Sequence, residues 1–293
     1  MVKTIAAVVP SIRPETISAF LKAWRPLFDK HNVEFVLVDD AGETPKIEHN
    51  GERTSLKSDL VSNKCAGVRQ LGFYYIAQNL PDVEYIFTTD DDCTPIGDPI
   101  QDHIDQLNRR VPISWISTAS DYMRGQPYNV REEAPVRFSH GIWRGVYDWD
   151  APSQLLKGNT KVDFYKGVIP KGIFTSICGM NICFHRSALK YVYFAPVGAF
   201  KGAERWDDIW MGIMMIKDFA KENWAIVSGY AEVNHLRASN VFTSLEKEAV
   251  GLRHNEEFWK DPERYKGDKW FDEFRKKRKK WYNEIDKIDK ANV

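Results

Sequence analysis

The sequence predicts an α/β fold in which buried strands form a sheet with helices on both faces. Three observations predict it. Short continuous apolar runs recur at residues 5–9, 35–38 and 85–87, and such runs mark strands covered on both sides. Segments with helical spacing of apolar residues lie between them. Acidic residues, Asp39-Asp40 and Asp90-Asp91-Asp92, stand where the second and third runs end.

The first run is expected to stop at Pro10, which cannot donate to a ladder. Pro14 and Glu15 then open a helix in which Ile17, Phe20, Leu21 and Trp24 share one face. The second strand delivers Asp39 and Asp40 to its carboxyl end. Val68, Leu71, Gly72, Tyr75 and Ile76 follow the helical period, and a third strand leads into the acidic tripeptide. Strand, helix, strand, helix, strand and acidic loop make the pattern of a doubly wound nucleotide-binding half, where ligands collect beyond the carboxyl ends of the strands. Past residue 110 aromatics, glycines and arginines mix, as in loops that contact substrate.

The 293 residues include 41 lysines and arginines against 41 aspartates and glutamates. That balance supplies no overall field to draw nucleic acid or a membrane. No Pro/Gly/Ser linker divides the chain, so one catalytic domain is expected at 1–255, followed by a charged helical extension at 256–293. Within the extension the run 275–280 is uniformly basic between Phe274 and Trp281. It reads as a solvated helix with an aromatic stripe, or as a contact for an anionic lipid, protein or nucleic acid. Cys65, Cys93, Cys178 and Cys183 form no Cys-x-x-Cys pair and suit a reduced cytosolic protein. The first apolar stretch is too short for a secretory signal, and none is long enough to span a bilayer. A soluble, cytoplasmic protein without a transmembrane segment is expected.

Three consecutive carboxylates repel one another, and a divalent cation is the natural neutraliser. Mg²⁺ and Mn²⁺ take one or two protein carboxylates and complete their shell with phosphate oxygens and water. Along an extended segment Asp90 and Asp92 point one way and Asp91 the other. An acidic turn or helix cap is the structural alternative. Asp121-Tyr122-Met123-Arg124-Gly125-Gln126-Pro127-Tyr128-Asn129-Val130-Arg131 places two arginines about a Gly/Pro turn, suited to phosphate or carboxylate, or simply to the surface. Ser139-His140-Gly141-Ile142-Trp143 and Tyr147-Asp148-Trp149-Asp150-Ala151-Pro152 set aromatics beside carboxylates, which suits a sugar. Cys178-Gly179-Met180-Asn181 is a tight turn before an apolar run. In Arg205-Trp206-Asp207-Asp208-Ile209-Trp210 the carboxylates could act as a base or orient hydroxyls, and equally could cap the helix that follows. His235 could be structural or complete a metal shell.

These blocks, together with Asp150-Ala151-Pro152-Ser153-Gln154, Pro170-Lys171-Gly172 and Ala238-Ser239-Asn240, resemble in order the reversibly glycosylated polypeptides, the UDP-arabinopyranose mutases. The resemblance runs from Val9 to Phe242. It implies a GT-A-like fold, with a Rossmann-type nucleotide-binding sheet and helices on both faces. It also implies a UDP-sugar substrate and Mn²⁺ (or Mg²⁺) as cofactor. The reaction would be ring contraction between UDP-arabinopyranose and UDP-arabinofuranose, with reversible self-glycosylation on an arginine. By that resemblance Arg124 is the modified arginine and Arg131 a second arginine needed for activity; the chemistry itself makes Asp207 or Asp208 the expected proton carrier. Arg13, Asp40, Arg69, Asp90 and Asp91 would meet the nucleotide, and Asp90, Asp92 and His235 the metal. A homo-oligomer is a further expectation. Two rivals stand beside this reading: a glycosyltransferase passing sugar to a separate glycan or modified nucleobase, and a non-catalytic sugar-nucleotide-binding partner. At residues 39–42 the chain reads Asp-Asp-Ala-Gly where the plant members carry Gln-Asp-Gly-Asp.

Overall fold

A computed structural model describes residues 4–117, 122–158, 160–236 and 240–292. Asp121 and the pair Ala238-Ser239, quoted among the motifs above, lie outside the described residues. In chain order the elements are β1 (Thr4–Ser11), α1 (Pro14–His31), β2 (Glu34–Asp39), β3 (Lys46–His49), β4 (Glu52–Ser55), α2 (Gln70–Asn79), β5 (Val83–Thr89), β6 (Cys93–Ile96), α3 (Pro99–Leu107) and β7 (Arg110–Val111). They continue with β8 (Ala134–Gly145), α4 (Ala151–Lys157), β9 (Gly167–Ile169), β10 (Asn181–His185), α5 (Asp207–Glu222), β11 (Ala225–His235), α6 (Val241–Phe258) and α7 (Lys269–Ala291).

The sheet runs β4-β3-β2-β1-β5-β10-β8-β11-β6, with β7 beside β8 and β9 beside β11. Strands β2, β1 and β5 are parallel. Antiparallel β10 then joins this half to β8, which runs parallel to β11. The expected α/β class with helices on both faces of the sheet therefore holds, with a parallel half first and a mixed sheet after it.

Side chains of β1 show why its sequence is apolar throughout. Ile5, Ala7 and Val9 join a core with Phe20, Trp24 and Phe28 of α1 and Ile100 and Leu107 of α3. Ala6 and Val8 face the opposite core with residues of α2, α5 and α7. Alternation puts successive residues on opposite faces, so a strand covered twice has no polar face. Gly72 lets α2 approach the sheet, because a Cβ there would meet Val8 Cγ1 at 2.5 Å. Pro10 does not end β1 as expected. It pairs with Val38, and pairing with β5 has already ceased at Val8, so its missing N–H costs no bond on that side.

The extension is packed into the domain rather than solvated. Phe271, Phe274, Trp281 and Ile285 of α7 are buried in the same core as Ala6 and Val8, and Trp281 Nε1 donates to the Leu189 carbonyl at 3.1 Å. Part of its basic face is spent internally: Arg278 pairs with Asp218, and Lys280 with Asp59 at 3.0 Å. Among the described residues no helix is long and apolar enough to cross a membrane. All four cysteines are free thiols.

Candidate active site

Strand β5 is buried to Thr89 and releases the acidic tripeptide at its carboxyl end. The three residues form a turn, closed by the Cys93 N–H on the Asp90 carbonyl at 3.1 Å, rather than the expected extended segment, and their side chains part company. Asp91 turns inward, with its side chain 4% exposed, against 31% for Asp90 and 19% for Asp92. It accepts from Ser11 Oγ at 2.5 Å, Thr16 Oγ1 at 2.8 Å and Arg13 Nε at 3.2 Å, and Arg13 Nη2 reaches its other oxygen. Asp91 thus belongs to the scaffold, which corrects its expected nucleotide contact. Ionised acceptors held by several donors make strong bonds and fix a turn.

Asp92 and His235 come together on the open side. His235 Nδ1 donates to the Val146 carbonyl at 2.8 Å, which leaves the Nε2 lone pair facing Asp92 Oδ1 at 3.8 Å. A carbonyl on the far nitrogen is the arrangement that readies imidazole for a metal. Burial and then the charge of Asp90 raise the Asp92 carboxyl above its ordinary range, against the pull of His235 and Arg13. A cation there would relieve that repulsion, so the residues fit a hard divalent ion. They do not form a complete cage, for among the described residues no three His, Cys, Asp or Glu side chains converge. The expected trio is loosened because Asp90 Oδ1 is taken by Arg69 Nη2 at 2.5 Å. Oxygens of a diphosphate and water would have to complete the shell.

Arg69 was expected at the diphosphate and is instead interior, only 1% exposed. Its Nη1 donates to Thr88 Oγ1 at 3.0 Å and to the Gly179 carbonyl at 2.5 Å, its Nε donates to the Ala66 carbonyl at 2.9 Å, and the guanidinium lies over Phe194. With its donors so committed, it supports Asp90 rather than a ligand. Arg13 keeps 21% of its side chain exposed while paired with Asp91 and Asp92, so it stands at the edge of the site.

Asp40 follows β2 and is fully buried. Its Oδ2 accepts from the Lys64 N–H, while Oδ1 is buried without a partner. Burial first, and the Asp39 charge in lesser part, raise its carboxyl against the pull of Lys64. A cleft of about 650 Å³ opens beside this loop, lined by Glu43, Pro45, Lys57, Asn63 and Gly198 among others. The acidic tripeptide does not line it.

Asp207 and Asp208 occupy the first turn of α5, and the residue at the cap position is Trp206 with no side-chain bond. The capping alternative is therefore not realised by Asp207. Its Oδ2 is buried and unpartnered. Asp208 Oδ2 accepts from the Gly179 N–H at 2.8 Å, and Oδ1 from the Ile209 N–H. Burial raises both carboxyls. The Asp207 charge raises Asp208 further, to about 8, while Arg69 restrains both. Two carboxylates so close in a dry setting titrate as a pair and retain one proton near neutrality.

Arg124 and Arg131 are not brought to these carboxylates by any contact among the described residues. Arg131 is enclosed by its own loop: the guanidinium lies 3.9 Å from the Tyr128 ring centroid and 4.6 Å from that of Tyr122, and Nη2 donates to the Gln126 carbonyl at 2.9 Å. Arg124 lies exposed beside Gly125, which adopts a φ of 92°.

Glu248 was missed. It is 3% exposed on α6 and accepts from Arg205 Nε at 2.8 Å and from the Ala151 N–H at 2.7 Å. Arg205 Nη2 also meets Asp148 at 2.9 Å, and Asp148 accepts from Cys178 Sγ at 3.4 Å. The signal was available, since Ser244, Glu248, Gly251 and Phe258 share the buried stripe of α6, and an acid on such a stripe needs a cationic partner. His140 is likewise buried and neutral, because burial holds it down to about 4, and its Nε2 accepts from the Cys178 N–H at 3.1 Å.

A family model described as "Reversibly glycosylated polypeptide" matches residues 2–261. The chain is 31% identical to "Probable UDP-arabinopyranose mutase 1" of Pisum sativum, over 87% of this chain and 74% of that protein. It is also 31% identical to "UDP-arabinopyranose mutase 3" of Arabidopsis thaliana, over 87% and 75%. Among solved structures, a Drosophila β1,4-galactosyltransferase 7 mutant with manganese, UDP-Gal and xylobiose gives a TM-score of 0.42 at 11% identity, covering 84% of this chain and 75% of that chain. Together the family match and the curated relatives establish that this chain belongs to the reversibly glycosylated polypeptide family.

Proposed function

We propose that this chain interconverts UDP-arabinopyranose and UDP-arabinofuranose. The observation that carries the proposal is the Asp207-Asp208 pair, linked through the Gly179 backbone and Arg69 to Asp90 of the acidic tripeptide. Isomerisation of the ring needs a proton given to one sugar oxygen and taken from another, and a pair that holds one proton near neutrality can do both. The names of the relatives support this choice of substrate.

In this reading the anomeric C–O bond to UDP breaks and UDP stays bound. The 4-hydroxyl oxygen bonds to the freed anomeric carbon; Asp208, the less buried of the pair, then gives its proton to the ring oxygen as the bond from that oxygen to the anomeric carbon breaks, takes the proton that the 4-hydroxyl sheds, and the C–O bond to UDP reforms at the same carbon. No proton is gained or lost overall. Asp207 holds the neighbouring negative charge that keeps Asp208 protonated. Asp92 and His235, beside Asp90, would hold Mn²⁺ or Mg²⁺ together with diphosphate oxygens and water, and the ion would supply positive charge for the leaving diphosphate. Asp40, with its bare buried Oδ1, would receive an N–H or hydroxyl of the nucleoside. The loop tied by Arg131 presents Arg124, which becomes reversibly glycosylated.

Incubation with UDP-arabinopyranose and Mn²⁺, with chromatography of the products, tests the proposal. A UDP-furanose product supports it. Release of UDP only when an acceptor is added would assign the chain to sugar transfer, and unchanged substrate despite binding would make it a binding protein.

A further inference from the structure

The Cys178-Gly179 turn belongs to neither carboxylate cluster, yet both are fastened to it. The Gly179 N–H donates to Asp208 at 2.8 Å. Its carbonyl accepts from Arg69 Nη1 at 2.5 Å, and the same guanidinium holds Asp90 at 2.5 Å through Nη2. The backbone of one residue and one side chain therefore span from the proton-carrying pair to the tripeptide. The room is tight: a Cβ at Gly179 would sit 2.8 Å from Phe194 Cε1 and 3.4 Å from Arg69 Nη1. Phe194 is itself buried and packs 6.1 Å from Phe73, so it has little freedom to retreat.

We propose that Gly179 and Arg69 act as one positioning unit, which fixes Asp208 relative to Asp90 and transmits a displacement at either carboxylate to the other. Neither residue reacts; both act through the carboxylates they hold. The inference rests on the roles proposed above for Asp90 and Asp208. Rigid interiors transmit displacement because close-packed groups have few alternative positions, and a shift of an ångström at a reacting group is costly.

The surroundings of Asp208 make the unit measurable. The groups facing it are Asp207 on its own helix, Arg69, Asp148 from the segment before α4, Arg205, and Cys178 on the turn. The Gly179 N–H counters the repulsion among them, so displacing it would raise the Asp208 titration midpoint further.

The test compares wild type, Gly179→Ala and the double variant Gly179→Ala/Phe194→Leu, in which the trimmed side chain makes room for the added methyl. Two readouts require no turnover: the affinity for UDP with Mn²⁺ by calorimetry, and the Asp208 midpoint from aspartate-carboxyl ¹³C shifts assigned with Asp208→Asn. Gly179→Ala should weaken Mn²⁺-dependent UDP affinity by about tenfold and raise the Asp208 midpoint. The double variant should return both toward wild type. An affinity unchanged in Gly179→Ala, or one that falls and fails to recover in the double variant, would overturn the proposal. A wild-type protein that binds UDP but gives no furanose product would overturn the mutase reading alone, because the comparison of the three proteins would still stand.

Discussion

Asp90-Asp91-Asp92 and Asp207-Asp208 are both runs of adjacent carboxylates, and their surroundings treat the charge in opposite ways. At the tripeptide, Arg13 and Arg69 compensate it, and Asp91 is sacrificed as an anchor so that its neighbours can point outward. At α5 the fold withholds full compensation. Asp207 Oδ2 has no partner, and Asp208 is left with backbone donors and a repelling neighbour. The first arrangement turns two carboxylates outward beside His235, as a cation site needs. The second keeps a proton, as acid–base work needs. Sequence alike, the two runs differ in chemistry because one ends a strand at an open edge and the other begins a buried helix.

The contrast can be broken at the tripeptide first. Asp92→Asn should abolish metal-dependent turnover, and activity retained at saturating Mn²⁺ would remove Asp92 from the cation site. Asp208→Asn should lower turnover by roughly 10³-fold while UDP with Mn²⁺ binds as before. Equal loss of binding would show that the two clusters do not divide the work. Asp91→Asn should destabilise the fold by roughly 3 kcal/mol, since it leaves Arg13 and two hydroxyl donors without their charged acceptor; denaturant titration measures this. An unchanged midpoint would deny Asp91 its anchoring role.

A further effect is one of pH. Asp208 is ordinarily 3.8 and is raised in the fold to about 8, so between these values the folded chain binds more protons than the unfolded one. The stability that Asp208 contributes therefore falls as pH rises from 3.8 to about 8. Asp208→Asn should flatten that slope, which thermal melts across the range would show. Turnover of the wild type should decline above about pH 8 as the proton is lost.

The first half of the fold was legible because parallel strands covered on both faces must be apolar throughout. β1, β2 and β5 accordingly stand out, as does β10 after the Gly179 turn. The hairpin of β3 and β4 was not seen, since Lys46–His49 and Glu52–Ser55 are largely polar. Its Asn50-Gly51 turn, with both residues at positive φ, was the readable sign. The acidic residues were legible as a site, but their division of labour was not. Arg69 looks like any arginine near a phosphate site until Thr88, Gly179 and Asp90 are found around it. Glu248 acquires its role from Arg205 and Ala151, which are distant in sequence. The basic run in α7 suggested an external partner because sequence shows its charge and hides Asp59 and Asp218.

The central claim is that the proton held by Asp208 carries out ring exchange on a bound UDP-sugar. Wild type and Asp208→Asn, each saturated with UDP-arabinopyranose and Mn²⁺, should be compared by chromatography of the nucleotide sugars. The account predicts UDP-arabinofuranose from the wild type and almost none from the variant, with equal UDP affinity in both. Furanose formed at the wild-type rate by Asp208→Asn would contradict it.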